Sequence, residues 1–117
     1  MEQINRIEVR GNVGNVRIFN NEGGQMASFS VVTNYLYKGR GGDAVVETMW
    51  FNVVAWTGKQ TLKDFNELKK GMMVHVIGRM REREYNGADG GVRRVTEIVA
   101  ARVAIVNETE DAASEKA

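Results

Sequence analysis

The chain of 117 residues contains no cysteine, no proline and a single histidine. Without cysteine there is neither a disulfide framework nor a thiolate metal site, and a reducing cytoplasm is a fitting compartment. With only His75 to offer an imidazole, a zinc site would need carboxylates, and these stand at no recognisable spacing. No serine sits in a nucleophile-elbow context. The expectation is therefore a non-enzyme with no catalytic residue, no metal and no cofactor; His75, between Val74 and Val76, reads as structural. No apolar run approaches the roughly 20 residues needed to cross a bilayer, so no membrane partner is expected. Met1-Glu2-Gln3-Ile4 shows no basic region leading into an apolar stretch, so no signal peptide is expected either. The missing proline leaves strands without proline breaks.

What is present is the profile of a soluble globular domain, 43% hydrophobic and 26% charged. The length suits one core and not two. Net charge is +1, but it is unevenly spread. Residues 1–106 hold 15 Lys and Arg against 11 Asp and Glu, whereas residues 107–117 set Lys116 against Glu108, Glu110, Asp111 and Glu115. The reading is a mildly basic domain over 1–106, followed by a short acidic, disordered tail over 107–117. This asymmetry is compatible with a polyanionic ligand without establishing one.

Most of the chain reads as β-structure. Ile4 to Phe19 alternates apolar and polar residues through Ile7, Val9, Val13, Val16 and Ile18, with Gly11 and Gly14 marking a bulge or bend. Asn20 to Gly24 is a turn by composition. Gln25–Tyr37 and Ala44–Trp56 read as strands two and three, separated by the glycine-rich loop 38–43. The period then changes. Thr57 and Gln60 match a capping box. Leu62, Phe65 and Leu68 follow at helical spacing, and Gly71 suits a left-handed C-terminal stop. Met72–Tyr85 and Val92–Val106 supply strands four and five around a second glycine-rich loop. Three strands, a helix and two strands give an all-β fold, a five-stranded OB-fold Greek-key barrel with one short helix between strands three and four.

Two stretches carry candidate chemistry. In Ala44–Trp56, one face holds Thr48, Trp50, Asn52, Val54 and Trp56, and the other holds Met49, Phe51, Val53 and Ala55. The second set can fill a core unaided, which leaves both tryptophans either as exposed platforms or packed at a barrel rim. In the fourth strand Arg79, Arg81, Arg83 and Tyr85 share a face, spaced by steps of roughly 6.6 Å. That row is either a phosphate track or a solvated face of Arg–Glu pairs. Tyr35 and Tyr37 precede one glycine-rich loop, which carries Lys38 and Arg40, and Tyr85 precedes the other. Such loops are either arms that wrap a polymer or loose hairpins.

Several segments together resemble the bacterial single-stranded DNA-binding proteins: NRIEVRGNVGN at 5–15, ASFSVVTN at 27–34, TMWFNVVAWTGK at 48–59, LKKGMMVHVIGRMRERE at 68–84 and RRVTEIVA at 93–100. The resemblance implies an OB-fold subunit of a homotetramer that coats single-stranded DNA without reading its sequence. It serves replication, recombination or repair in the cytoplasm, associated with the nucleoid. It implies base stacking on Tyr37, Trp50, Trp56 and Tyr85, and phosphate neutralisation by Lys38, Arg40, Lys59, Arg79, Arg81 and Arg83. Thr57 is an extra residue before the Gly-Lys pair, and Phe51 stands where a histidine often meets a neighbouring subunit. The tail ends Ser114-Glu115-Lys116-Ala117 without the usual Pro-Phe tip, so docking of repair and replication enzymes is not carried over. The competing readings are an OB-fold primosomal or accessory interaction protein, and an RNA-binding module using the same surface.

Overall fold

Period-two alternation over five segments produces five strands, and the computed structural model describes them within residues 2–106. The acidic tail expected over 107–117 lies outside the described residues. The strands are β1 (Ile7–Asn21), β2 (Gly24–Lys38), β3 (Ala44–Trp56), β4 (Met73–Asn86) and β5 (Val92–Ile105). They close into a barrel in the order β1-β2-β3-β5-β4, the arrangement of an OB-fold.

Closure depends on β1 serving two neighbours. Ile7 to Asn12 pairs antiparallel with β4, and Asn12 to Asn21 pairs with β2. The register slips between Val13 and Val16, where the sequence places Gly14. Just before the slip the backbones of β1 and β2 nearly touch: a Cβ on Gly11 would fall 2.3 Å from the Val32 carbonyl oxygen. Any side chain there must displace main chain, so the bend requires glycine. On the far side, β3 meets β5 in a short parallel contact, Val53 with Ile98 and Val54 with Val99. Asn5, just ahead of β1, continues the β4 pairing through its side chain. Its amide donates to the Met80 carbonyl at 2.7 Å and accepts from the Met80 N–H at 2.9 Å.

The core contains Val9, Val13, Ala27, Phe29, Val31, Val53, Ala55, Phe65, Leu68, Val74, Val76, Ile98 and Val103. Small and β-branched side chains dominate, as the narrow interior of a five-stranded barrel demands. Of the β3 set expected inside, Val53 and Ala55 are buried and Phe51 packs partly against the core, but Met49 is exposed. At Met49 the β2–β3 hairpin has already run past the end of the barrel.

The expected helix between β3 and β4 contracts to a single 3-10 turn at Phe65–Glu67. Thr57 and Gln60 do not form the expected capping box. The Gln60 carbonyl instead accepts from the Val103 N–H, which holds this stretch against β5 and keeps it out of a helix. The cap is Asp64, whose carboxylate accepts from the Asn66 N–H at 2.9 Å. This contact, followed by the side-chain hydrogen bonds of Gln25 and Asn66, holds the Asp64 carboxyl below its ordinary pKa. Leu62, Phe65 and Leu68 are spaced by three, which suits a three-residue turn as well as an α-helix. Phe65 and Leu68 are buried as the apolar pattern anticipates, plugging the end of the barrel. Gly71 does take positive φ, at 92°, but it ends a turn and donates to the Val13 carbonyl.

Two hairpin arms leave the barrel. The β2–β3 arm is exposed from Asn34 to Trp50 apart from Gly39 and Val45 at its tip, and the β4–β5 arm is mostly exposed from Glu82 to Thr96. Phe65→Ala is expected to destabilise the protein by about 3–5 kcal/mol. It empties the barrel plug while leaving the outer surface intact, and chemical denaturation is the measurement.

Candidate nucleic-acid interface

Because facing residues of paired strands project on the same side, the register fixes which side chains meet outside the barrel. Trp50 lies opposite Val32 and Trp56 opposite Met26. Both belong to the outward parity of β3, 59% and 44% exposed respectively. Their separation of six residues corresponds to about 20 Å along the strand. Asn52 and Val54 lie between them, with Ser30 and Ser28 opposite on β2. The wall is thus aromatic at its ends and polar along much of its middle.

Trp50 has a built seat. A Cβ on Gly14 would meet its ring at 2.9 Å and the Ser30 hydroxyl at 2.3 Å. The bare backbone at the β1 bend therefore lets the indole lie close over β1, where Ser30 also accepts from the Asn15 N–H. Trp56 is fixed differently. Gln25 and Thr57 exchange hydrogen bonds: the Gln25 N–H donates to the Thr57 hydroxyl and the Thr57 N–H to the Gln25 carbonyl. Thr61 adds a hydroxyl bond to the Trp56 carbonyl. Thr57, the extra residue of the Gly-Lys segment, thus ties the start of β2 to the end of β3.

The tyrosines stand apart from this wall. Tyr37 pairs with Val45, which belongs to the parity of Phe51, Val53 and Ala55. It is exposed because the arm leaves the barrel, yet it faces away from the side that carries Trp50 and Trp56. Tyr35 shares its face, with ring centroids 6.1 Å apart. Tyr85 lies on the β4–β5 arm, on the same parity as the arginine row, and Arg83 stacks over its ring at 5.9 Å. All four expected platforms are exposed, with Tyr37 on the parity opposite Trp50 and Trp56 and Tyr85 on the arm beside Arg83.

The arginine row divides in a similar way. Arg81 and Arg83 line a groove of about 420 Å³ with Arg17, Phe19, Met26, Ser28 and Val54, so the arm folds its basic face toward the outer wall. Arg79 instead borders a separate hollow beside Asn5, Arg6 and Gly78. Lys38 and Arg40 lie at the tip of the β2–β3 arm, and Lys59 lies in the loop after Trp56. No ion pair holds Lys38, Arg40, Lys59 or Arg79 among the described residues.

Arg81 and Arg83 share a counter-ion that sequence reasoning missed. Glu97 on β5 is only 3% exposed and projects to the outer face beneath both guanidinium groups. One carboxylate oxygen, Oε1, accepts from Arg81 Nη2 at 2.7 Å, Arg81 Nε at 3.0 Å and Arg83 Nε at 2.9 Å. Burial pushes the Glu97 pKa up, but the hydrogen bonds from Arg83 and Arg81 and their positive charge outweigh it and hold the carboxyl below its ordinary value. The hydrogen bond from Arg83 to Glu97 likewise raises the pKa of that guanidinium. The signal in the sequence is a lone acid in the apolar run Val95–Val99, in the strand facing the arginine row. Elsewhere on the arm, Arg94 pairs with Glu82 and Glu84, and Arg93 with Asp89. The alternative of Arg–Glu pairs describes the opposite, Arg94-bearing side, and it also holds on the row itself for Arg81 and Arg83 through Glu97, leaving Arg79 without an ion pair among the described residues. Arg17 and Phe19 were also missed, although both fall on the parity opposite the core residues Val16 and Ile18 of β1. His75 is hydrogen-bonded to Glu8 on the neighbouring strand. No group of three or more His, Cys, Asp or Glu could hold a metal among the described residues.

Fold and site define a class: a small closed barrel with exposed aromatics and a basic groove on its outer wall. The chain belongs to the single-strand binding protein family, whose model matches residues 4–106. Among relatives, the single-stranded DNA-binding protein of Neisseria meningitidis serogroup A is 33% identical over 100 residues, covering 83% of this chain and 56% of that protein. Single-stranded DNA-binding protein 3 of Clostridium acetobutylicum is 37% identical over 81 residues, covering 69% and 54%. The chain thus spans a little over half the length of these relatives. The barrel is also similar to that of the Plasmodium falciparum SSB solved in complex with single-stranded DNA. The TM-score is 0.72 at 23% identity, over 92% of this chain and 98% of that one. No helix among the described residues is long and apolar enough to cross a membrane.

Stability is expected to fall in acid. A carboxyl whose pKa is depressed on folding contributes fully above its unfolded value, near 4.5 for Glu97, and loses that contribution as pH falls through the folded value. Glu97→Gln should flatten this slope, leaving the part carried by Asp64. At neutral pH it should cost about 1–3 kcal/mol, less than for a fully buried pair because Arg83 is half exposed. Thermal melts across pH 3–7 check both.

Proposed function

We propose that this protein binds single-stranded DNA without regard to sequence, stacking bases on aromatic side chains and neutralising phosphates with lysine and arginine. The observation that carries the reading is the pair Trp50 and Trp56. Two large indoles stand exposed on one outer face, beside a groove bordered by three arginines, in a member of the single-strand binding protein family. A base stacked on an aromatic ring contributes about 1–3 kcal/mol, and every base has such a face. Duplex DNA offers its phosphates but not its base faces, so the wall favours unpaired strands.

Trp50 and Trp56 are the principal platforms of this reading, with Tyr85 and Tyr37 as contacts on the two arms. Lys38, Arg40, Lys59 and Arg79 supply cationic charge, and Arg81 and Arg83 supply directed donors. Residues 1–106 form the binding domain. The protein acts by binding and not by catalysis, as a homotetramer in the cytoplasm, where it covers strands exposed during replication, recombination or repair.

Titrating intrinsic tryptophan fluorescence with oligo-dT and with duplex tests this at two salt concentrations. Quenching is expected with oligo-dT and little with duplex. The affinity should fall with a log–log salt slope of about −0.7 per neutralised phosphate. Trp50→Ala and Trp56→Ala should each weaken binding by about 1–3 kcal/mol while the protein stays folded. Unfolding of both variants, or equal affinity for duplex and single strand, defeats the reading.

A further inference from the structure

The outer wall does not stop at Trp56. Phe19, Met26 and Trp56 face one another in register across β1, β2 and β3. Three neighbouring strands thus carry three apolar side chains in one row, about 10 Å from first to last. Phe19 is 49% exposed at the open end of that row, outside the barrel core. Around it lies the groove of about 420 Å³ closed from above by Arg81 and Arg83. Apolar rings and chains form its floor and guanidinium groups its rim, and its volume is in the range of a small-ligand site.

The hydrogen bonding of the rim leaves donors to spare. Arg83 reaches Glu97 through Nε alone, so its two terminal nitrogens, the pair that matches a phosphate bidentately, make no hydrogen bond among the described residues. Arg81 uses Nε and Nη2 and keeps Nη1. Glu97 therefore holds both guanidinium groups by one edge while the other edge is left for a ligand. Arg17 borders both this groove and a neighbouring hollow of about 190 Å³ lined by Asn15, Ser28, Ser30 and Asn52. That hollow leads back along the polar middle of the wall toward Trp50.

We propose that this groove is a nucleotide subsite in which one base stacks on Phe19 while its phosphate is held between Arg17 and the free edge of Arg83. The proposal rests on the single-strand reading and extends it, carrying the strand off β3 and across β1–β2 beneath the β4–β5 arm. Its ligand class is a nucleotide within a longer single strand. Glu97 acts as a positioning residue that fixes the angle of the rim.

Binding of an oligo-dT series of increasing length to the wild-type protein, Phe19→Ala, Phe19→Tyr and Arg17→Ala tests the subsite. Phe19→Ala should lose roughly 5- to 100-fold in affinity for long strands. It should lose little for strands too short to extend beyond the two tryptophans. Phe19→Tyr, which keeps a ring, should restore most of the loss. Arg17→Ala should make the salt slope shallower by about 0.7. Thermal midpoints of all three should stay near wild type, since both side chains are exposed. If wild type binds and the variants match it at every length with an unchanged salt slope, the subsite is refuted while the broader reading stands. If wild type binds no strand of any length, both are refuted.

Discussion

A closed barrel gives every strand one face that must be apolar and one face that cannot be inside, and the site follows from this constraint. The interior of five strands is narrow, and Val53, Ala55, Phe29, Val31, Val74, Val76 and Ile98 fill it. Once Val53 and Ala55 point inward, Trp50 and Trp56 point outward, because successive side chains alternate. An exposed indole is normally a poor use of apolar surface. Here the alternation leaves no interior position for it, and glycine at position 14 lets the Trp50 ring approach β1 closely.

Electrostatics refines that wall without dominating it. A net charge of +1 does not make a strong polyanion field. What matters is the division of labour among the cations. Lys38 and Arg40 at the arm tip and Lys59 in the loop after Trp56 are exposed and held by no ion pair among the described residues. Arg81 and Arg83 are oriented donors, because a buried carboxylate between them fixes their geometry. Burying Glu97 alone would be costly, and three charge-assisted hydrogen bonds on one oxygen offset the loss of water. The arrangement exchanges part of the positive charge for direction.

Much of the fold was legible in the sequence. Five strands and the bend in the first followed from period-two alternation and the placing of glycines, and the apolar plug after the third followed from the change to a spacing of three at Leu62, Phe65 and Leu68. The plug was misjudged as an α-helix because Leu62, Phe65 and Leu68, spaced by three, fit both a 3-10 turn and a longer helix. Long-range hydrogen bonds, from the Val103 N–H to the Gln60 carbonyl and from the Phe65 N–H to the Gln25 side chain, tie the segment to β5 and β2 in its short form. Local propensity carries no information about such bonds. Of the candidate site, the outward parity of the tryptophans was legible within β3 itself. The parity of Tyr37 was equally available, since it follows Ala27, Phe29 and Val31 on the inward set, but only the extension of the arm beyond the barrel explains why it is still exposed.

By itself, then, the sequence determined which residues alternate inward and outward along each strand, because that depends only on the two-residue repeat of an extended backbone. It also determined that aromatic and basic residues would reach the surface. Only the tertiary structure decided which strands lie side by side and where each arm folds. Register across β1, β2 and β3 brought Phe19, Met26 and Trp56 into one row, and the path of the β4–β5 arm brought Arg81 and Arg83 over Arg17. Glu97 met those arginines because β5 pairs with β4 at that one offset. These contacts depend on how one strand registers against the next, which the repeat within a single strand does not specify.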